Sequence, residues 1–232
     1  MQSFRTAVSH CDTQATPATL TTLKSTLPAM PSIATHAQRN TIRLQLKQNL
    51  ILREMKTSVW TQLEPQLEIA EYRKGEALMR QGATGMEQFF ILEGILKRVV
   101  SNPQGKEMIL RFAAETDMDT SYAAWQLKTP TPYSIIAVTK VRVAKLSMPH
   151  WVEFLELNPE IKLRFEHEVM RLMSEVMAHT ITLHLLDAPG RLSRFMRKHR
   201  DLLERIPKKE LASYLNLTPE TLSRLRLRFP LA

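Results

Sequence analysis

The segment between residues 206 and 229, IPKKELASYLNLTPETLSRLRLRF, constrains the fold more than any other part of the chain. Leu211 and Leu215 lie one helical turn apart, which predicts a short helix with one apolar face. After a tight connection, Thr218 is a good N-cap and Pro219 takes the favoured first position of a second helix. This order of helix, turn and capped helix is typical of a helix-turn-helix, whose second helix fits the major groove of B-DNA.

Positive charge is concentrated at the same end of the chain. Between residues 188 and 232, basic residues outnumber acidic residues by eleven to four, which accounts for most of the formal net charge of +9. A basic excess confined to one module indicates a polyanion partner, here double-stranded DNA. A surface helix pair with solvated charges is the alternative reading, but the ordered succession of turn, cap and arginines favours DNA.

Cysteine content and hydropathy narrow the class of protein. Cys11 is the only cysteine, which excludes an intramolecular disulfide framework, a Cys-rich zinc site and a four-Cys iron–sulfur cluster. No stretch approaches the roughly 20 apolar residues that span a bilayer, and the N-terminus lacks a signal core. We therefore predict a cytoplasmic protein with no membrane association, no metal and no bound cofactor.

The hydropathy pattern divides the chain into four parts and predicts an α+β fold. Residues 1–38 are rich in Thr, Ala, Ser and Pro and are predicted to be a mobile extension, with a transit-type peptide as the alternative. Residues 39–148 begin with a helical pattern and continue as closely spaced short strands, which predicts a jelly-roll β-barrel sensor domain with flanking helices. Residues 149–187 predict one long helix, and residues 188–232 contain the helix-turn-helix.

The long helix carries an apolar heptad pattern over three repeats. Such a stripe packs either on its own barrel or on a copy of itself, and its regularity favours a parallel homodimer. We expect the histidine in it to be an interfacial residue rather than a metal ligand. The predicted dimer seam consists of Phe165, Val169, Leu172, Val176, His179 and Leu183.

From about residue 45 to residue 229, the chain resembles the Crp/Fnr family of bacterial transcription regulators. The resemblance implies a cyclic-nucleotide-binding-like barrel, a long dimerisation helix and a C-terminal helix-turn-helix. It also implies a homodimer that binds an inverted-repeat DNA site, with RNA polymerase as a further partner. The residues that carry the resemblance are Lys74-Gly75-Glu76, Gln81-Gly82, Phe90-Ile91-Leu92-Glu93-Gly94, the segment 102–107 and the segment 212–224.

The resemblance assigns base reading to Glu220, Ser223 and Arg224. The chemistry agrees, because a carboxylate accepts from cytosine N4 and a guanidinium pairs with guanine O6 and N7. This combination implies a half-site containing TTGA or a close variant. Phosphate contacts, which give affinity without much sequence information, are assigned to Lys208, Lys209, Thr218, Thr221, Arg226 and Arg228.

Two features depart from the family pattern. The Gly-Glu and Arg-Ser positions that hold cyclic AMP correspond here to Thr120-Ser121 and Thr131-Pro132, and Lys128 is the one cation left near them. Burying a phosphodiester without a charged partner is costly, so we expect control by another effector or by none. A remodelled effector pocket would be lined by Met118, Tyr122 and Trp125, although core packing explains these residues equally well. Pro230-Leu231-Ala232 follow the recognition helix directly, so we expect a C-terminal wing to be missing or minimal.

Other classes of function fit the sequence less well. The chain contains no Gly-rich phosphate loop, nucleophile elbow or HExxH pair, so we predict that it is not an enzyme. The alternative is an effector-binding sensor, for a small molecule or haem, whose C-terminal module contacts protein rather than DNA. Salt dependence separates the two, because binding through several DNA phosphates weakens steeply as salt rises.

Overall fold

The computed structural model describes residues 32–228. Most of the predicted extension, Cys11 and the expected truncated wing at residues 230–232 lie outside this range. The last residues assigned to the extension belong to the folded sensor domain. Ile33 is fully buried, and its N–H donates to the carbonyl oxygen of Leu67. The sensor domain therefore begins before the predicted boundary at residue 39.

The sensor domain is a sandwich of two four-stranded antiparallel sheets, as expected for a jelly roll. One sheet has the order β1-β8-β3-β6 and the other the order β2-β7-β4-β5. Apolar residues of both sheets, among them Phe90 of β3, Leu96 of β4 and Ile135 of β7, share one buried cluster, which agrees with the short apolar strands in the sequence. The strands are β1 (Glu68–Tyr72), β2 (Ala77–Met79), β3 (Glu87–Glu93), β4 (Leu96–Ser101), β5 (Glu107–Ala113), β6 (Met118–Thr120), β7 (Ser134–Ala137) and β8 (Val141–Ser147).

Helices flank the sandwich and continue into the C-terminal module, which confirms the predicted α+β class. The predicted long helix is divided in two at Asn158, whose φ of −133° and ψ of 73° leave the helical region. Pro159 then starts the next helix, since proline cannot continue one. The helices are α1 (Arg39–Leu46), α2 (Thr57–Leu63), α3 (Tyr122–Gln126), α4 (Met148–Leu157), α5 (Pro159–Leu185), α6 (Ala188–Lys198), α7 (Lys208–Tyr214) and α8 (Pro219–Arg228).

Aromatic side chains fix α4 and α5 to the sandwich. The Trp151 ring lies 5.4 Å from Phe90 of β3 and 5.3 Å from Phe165 of α5, both in edge-to-face geometry. Each of these three rings is essentially inaccessible to solvent. The first turns of α5 therefore belong to the sensor core.

The structure corrects the predicted dimer seam. Phe165 and Leu172 are buried in the sensor core and His179 is buried against the C-terminal module, while the other three predicted seam residues are half-buried. These residues form the inward stripe of α5, and its three buried members are covered by the same chain rather than free to meet a second one. A second apolar stripe lies on the opposite side of the helix and is exposed. It consists of Leu163, Met170, Met173, Met177, Ile181 and Leu185, which we call the outer stripe.

Candidate nucleic-acid interface and sensor site

Helices α7 and α8 form the predicted helix-turn-helix. Asn216 adopts a left-handed conformation, with φ of 51°, which asparagine tolerates better than most residues. The following N–H of Leu217 donates to the carbonyl oxygen of Ala212 at 2.9 Å and closes the turn. Leu211 and Leu222 are fully buried between the helices. The apolar positions of the sequence thus hold α8 at a fixed angle to α7.

The three predicted base-reading residues lie on one turn of α8. Glu220 and Arg224 are exposed, while Ser223 is half-buried and donates from its hydroxyl to the carbonyl oxygen of Pro219 at 2.7 Å. The main-chain N–H of Glu220 and then the Thr218 hydroxyl hold the pKa of the Glu220 carboxyl below its usual value. At neutral pH this group is therefore an ionised acceptor, and Arg224 beside it is a donor.

The predicted phosphate-binding residues differ in their exposure to solvent and in the hydrogen bonds that they form within the protein. Lys208, Lys209 and Arg228 are exposed near the same surface. Thr218 is an N-cap, because its hydroxyl accepts from the N–H of Thr221 at 3.2 Å. The Thr221 hydroxyl lies within 3.4 Å of the Arg224 guanidinium, and it therefore orients that side chain. The sixth predicted residue, Arg226, lies on the last turn of α8 and is paired within the module.

The guanidinium of Arg226 pairs with the carboxylate of Glu204 in the loop before α7. Its side chain is about 29% exposed, whereas the Glu204 side chain is largely exposed. Exposed pairs of this kind contribute little stability, so Arg226 could release Glu204 for a phosphate at small cost.

The interior of the sensor barrel contains two arginines that the sequence analysis overlooked. Arg98 of β4 donates to the Asp119 carboxylate at 2.7 Å, and both side chains are buried. Its guanidinium also lies 4.7 Å from the centre of the Tyr133 ring. Arg111 of β5 pairs with Asp117 at 3.2 Å and lies 3.9 Å from Asp119. Lys128 was therefore not the one cation near the ligand positions.

The two segments that correspond to the ligand-holding positions are bonded to each other. The hydroxyls of Ser121 and Thr131 lie 3.0 Å apart in the buried interior. The Tyr133 hydroxyl donates to the carbonyl oxygen of Thr120 at 2.6 Å, and burial raises the pKa of Tyr133. Arg98 donates to the same carbonyl at 3.1 Å. Protein groups thus satisfy one another where a polar ligand would need them.

The three predicted effector-pocket residues all belong to the sensor core or pack against it. Met118 is buried in the hydrophobic core. Tyr122 packs edge-to-face on Phe165, with ring centres 5.0 Å apart, and its hydroxyl accepts from Gln126. Trp125 alone of the three lines a surface groove of about 530 Å³. Core packing, which was the alternative explanation, accounts for the other two.

The C-terminal module is docked on the outer face of the β2-β7-β4-β5 sheet. Val99 and Phe112 of the sheet share a buried cluster with Leu211 and Tyr214 of α7. Lys97 on β4 donates to the Glu210 carboxylate of α7 at 2.7 Å. The first helix of the motif is thereby held, while the second faces outward.

A parallel ring stack also joins α5 to α7. The imidazole of His179 lies 3.7 Å from the centre of the Tyr214 phenol ring, with 1° between the planes. Burial lowers the pKa of His179 to about 4 and raises that of Tyr214 to about 12. His179 is therefore neutral at physiological pH and is a contact between modules rather than between chains.

The described residues were also compared with the requirements of a membrane-spanning helix and of a metal site. None of the helices between residues 32 and 228 is long and apolar enough to cross a membrane. Within the same range, no group of three or more His, Cys, Asp or Glu side chains could hold a metal ion.

Comparison with known proteins agrees with this architecture. A family model described as "Cyclic nucleotide-binding domain" matches residues 69–158. The chain is 22% identical over 167 residues to the cAMP-activated global transcriptional regulator CRP of Salmonella typhimurium, covering 68% of this chain and 80% of the relative. It is 23% identical over 164 residues to the nitrogen fixation regulation protein FixK of Bradyrhizobium diazoefficiens, covering 66% of this chain and 68% of the relative. The solved structure of FixK2 from Bradyrhizobium japonicum shares the fold, with a TM-score of 0.63 at 16% identity, covering 70% of this chain and 84% of that chain.

Proposed function

Because the chain contains a cyclic nucleotide-binding domain and is homologous to the Crp/Fnr transcription regulators, we propose that it regulates transcription by binding specific DNA sites as a homodimer. The sites are inverted repeats, because two copies related by a two-fold axis present identical reading helices. A transcription regulator acts on DNA, so we expect this protein to be located in the cytoplasm and to have RNA polymerase as a partner.

The observation that carries this proposal is the outward face of α8. Leu222 and Leu225 hold the helix in place from beneath. On the opposite side, Glu220 and Arg224 are exposed, one helical turn apart, beside the positive charge of Arg228. An ionised carboxylate and a guanidinium at this spacing offer an acceptor and two donors to the edges of neighbouring bases.

The outer stripe of α5 supports the homodimer. Leu163, Met170 and Met177 are 70%, 61% and 65% exposed, and they recur at seven-residue intervals. A contiguous apolar stripe of this length on a monomer is typical of an interaction surface. A second copy is the natural occupant, because a heptad repeat on a straight helix matches the same repeat on a parallel helix.

The interior of the barrel supports a regulator that does not respond to cyclic AMP. A cyclic phosphate needs a cation and hydroxyl donors, but Arg98 is neutralised by Asp119, and Ser121 and Thr131 bond each other. Admitting the nucleotide would break these buried bonds and take from Asp119 its 2.7 Å partner, which is unfavourable in a buried site. The described residues therefore do not fit cyclic AMP.

The proposal can be tested by equilibrium titration of a labelled DNA duplex, followed by fluorescence anisotropy. One duplex carries an inverted repeat of TTGA half-sites and a second carries the same bases shuffled. We expect tighter binding to the repeat and a steep loss of affinity as salt rises. Arg224→Ala should weaken binding to the repeat by about ten- to a hundredfold and leave binding to the shuffled duplex nearly unchanged.

Arg80→Ala is the matched control, because Arg80 is exposed on the sensor domain, away from α8. It should bind both duplexes as the unmodified chain does. Equal binding of the repeat and the shuffled duplex, with little dependence on salt, would contradict DNA recognition. It would favour the alternative, in which the C-terminal module contacts protein.

A further inference from the structure

A small cleft lies where α5, α6 and α7 meet. Its volume is about 30 Å³, which is enough to accept one or two oxygen atoms in its interior. One side of the cleft is open to solvent. Its polar and charged lining residues are Glu175, His179, Thr182, Arg191, Arg194, Lys198, His199 and Tyr214.

Two buried nitrogen atoms of residues lining the cleft lack a hydrogen-bond partner among the described residues: Nε2 of His179 and Nε of Arg191. His179 is 9% exposed, and its stack on Tyr214 fixes the plane of the imidazole. Arg191 is fixed as well, because its Nη1 donates to the carbonyl oxygen of Leu215 at 2.7 Å. Buried polar groups in folded proteins are nearly always bonded, so two orphans in one cleft indicate a missing partner.

The charge of the cleft shows what kind of partner would fit. Arg191, Arg194 and Lys198 bring three positive charges, while Glu175 brings one negative charge. Glu175 is already engaged by Lys198 at 3.0 Å and by Arg171 at 2.7 Å. A water molecule would fill the interior, but Arg191 and Arg194, which form no salt bridge among the described residues, favour an anion there. An anion satisfies both the bonding and the charge.

The imidazole adds a requirement for a proton on the ligand. A main-chain group of Tyr214 bonds one ring nitrogen of His179, and the neutral ring then offers Nε2 as an acceptor. Nε of Arg191, in contrast, can only donate. A ligand that both donates and accepts matches the pair. Inorganic phosphate does so, because hydrogen phosphate keeps a proton at neutral pH, whereas a phosphate monoester, whose second pKa lies at about 6, has mostly lost its last proton there.

We propose that this cleft binds inorganic phosphate, held by Nε2 of His179, Nε of Arg191 and the side chain of Arg194. The ligand would bridge α5 of the sensor to α6 of the DNA-binding module. It would therefore stabilise the docked arrangement of the two modules.

The test is calorimetric titration of the full chain with inorganic phosphate at pH 7 and constant ionic strength. Glycerol phosphate and sulfate are titrated separately. We expect one saturable site per chain for inorganic phosphate, and weaker binding of both glycerol phosphate and sulfate, which mostly carry no proton at this pH. Binding of glycerol phosphate as tight as that of inorganic phosphate would contradict the need for a proton on the ligand.

Arg194→Gln and His179→Phe should each weaken phosphate binding at least tenfold. Phenylalanine keeps a ring against Tyr214 while removing the nitrogen. Arg197→Gln is the matched control, because Arg197 is exposed on the same helix but does not line the cleft. It should bind phosphate as the unmodified chain does. Folding is checked by thermal unfolding, in which phosphate should raise the midpoint of the unmodified chain and Arg197→Gln but not of Arg194→Gln.

Three results would overturn the proposal. The first is the absence of saturable phosphate binding in the unmodified chain. The second is equal weakening by Arg197→Gln and Arg194→Gln, which would reflect the general positive field. The third is binding of sulfate as tight as that of phosphate. If phosphate does not bind and Arg194→Gln instead weakens duplex binding, the cluster contacts the DNA backbone. Because the titration contains no DNA, its result is independent of the proposed DNA-binding function.

Discussion

The guanidinium of Arg98 and the carboxylate of Asp119 form a 2.7 Å hydrogen bond inside the sensor barrel, where the Asp119 side chain has no exposed surface. The pair joins β4 of one sheet to β6 of the other. It gives Arg98 an internal anion next to Thr120, whose carbonyl oxygen also accepts from Arg98 at 3.1 Å. The same pair also contributes to the stability of the sandwich.

Asp119→Ala should destabilise the protein by about 3–5 kcal/mol, because it leaves Arg98 buried without its ionic partner. Urea unfolding at pH 7 measures the change. Glu71→Ala is the control, since Glu71 forms an exposed pair with Lys140 and its loss should cost less than about 1 kcal/mol. A similarly small change for both variants would show that Arg98 finds another partner or reaches solvent.

If the proposed homodimer forms through the outer stripe, Met173→Glu and Met177→Glu should each yield folded monomers. Both residues belong to the outer stripe, and a carboxylate at a dry interface is strongly unfavourable. Sedimentation velocity measures the assembly state, and circular dichroism confirms the fold. Leu127→Glu is the matched control, because Leu127 is 74% exposed in the loop after α3.

A different outcome is expected on the inward side of α5. Leu172→Glu should unfold or grossly destabilise the sensor domain, because Leu172 is buried in its core. If Met173→Glu leaves the dimer intact while a folded Leu172→Glu variant is monomeric, the assignment of the two stripes is reversed.

Gly94→Ala should destabilise the chain by about 3 kcal/mol or more. A Cβ there would lie 2.2 Å from the carbonyl oxygen of Lys140, and the φ of +91° disfavours any side chain. Gly105→Ala separates the two causes, because its φ is +77° but nothing lies within 4 Å. Its cost should be only about 1–2 kcal/mol by urea unfolding. Equal costs would mean that the loop at Lys140 moves aside.

Stability should fall as the pH is lowered from about 6.5 towards 4. Burial lowers the pKa of His179 from 6.5 to about 4, so the unfolded chain binds a proton in this window before the folded chain does. The stabilisation is therefore complete above pH 6.5 and is lost as the pH approaches 4, amounting to about 2 kcal/mol or less. The charged and titratable groups that line the cleft with this imidazole are Glu175, Arg191, Arg194, Lys198, His199 and Tyr214.

Urea unfolding between pH 7.5 and pH 4.5 measures this dependence, and His179→Phe should reduce it. His150→Phe, at an exposed histidine of α4, should retain it. Part of the dependence should persist in His179→Phe, because burial and then the charge of Lys198 also lower the pKa of His199. Identical pH profiles for the two variants would contradict the role of His179.

The helix-turn-helix and the jelly roll were predictable from the sequence because both depend on local signals. Thr218 and Pro219 mark the start of α8 through capping and a fixed φ, and these preferences do not depend on the rest of the fold. The alternating strands and turns likewise predicted the sandwich. Pro159 is a helix-breaking signal in the sequence. The apolar pattern continues on both sides of it, however, and this led to the prediction of one long helix.

Two features could not be predicted in the same way. One is which face of α5 packs on the barrel, and the other is which polar residues lie inside the barrel. A heptad period defines stripes but does not say which stripe meets the barrel, and α5 carries two. Phe165 lies in the inward stripe and Met170 in the outer one, and only the tertiary packing separates them. Arg98 follows the in-and-out alternation of β4 in phase with the buried Leu96. That phase was the available signal, but an arginine is normally assigned to the solvent side.

The most direct measurement is selection of bound sequences from a random duplex pool by the purified full chain, with and without cyclic AMP. We expect one inverted repeat to be enriched equally in both arms, and Arg224→Ala to lose preference at one base pair of each half-site. Enrichment only with cyclic AMP would contradict the closed sensor interior. No enrichment in either arm would contradict sequence-specific DNA binding by this chain.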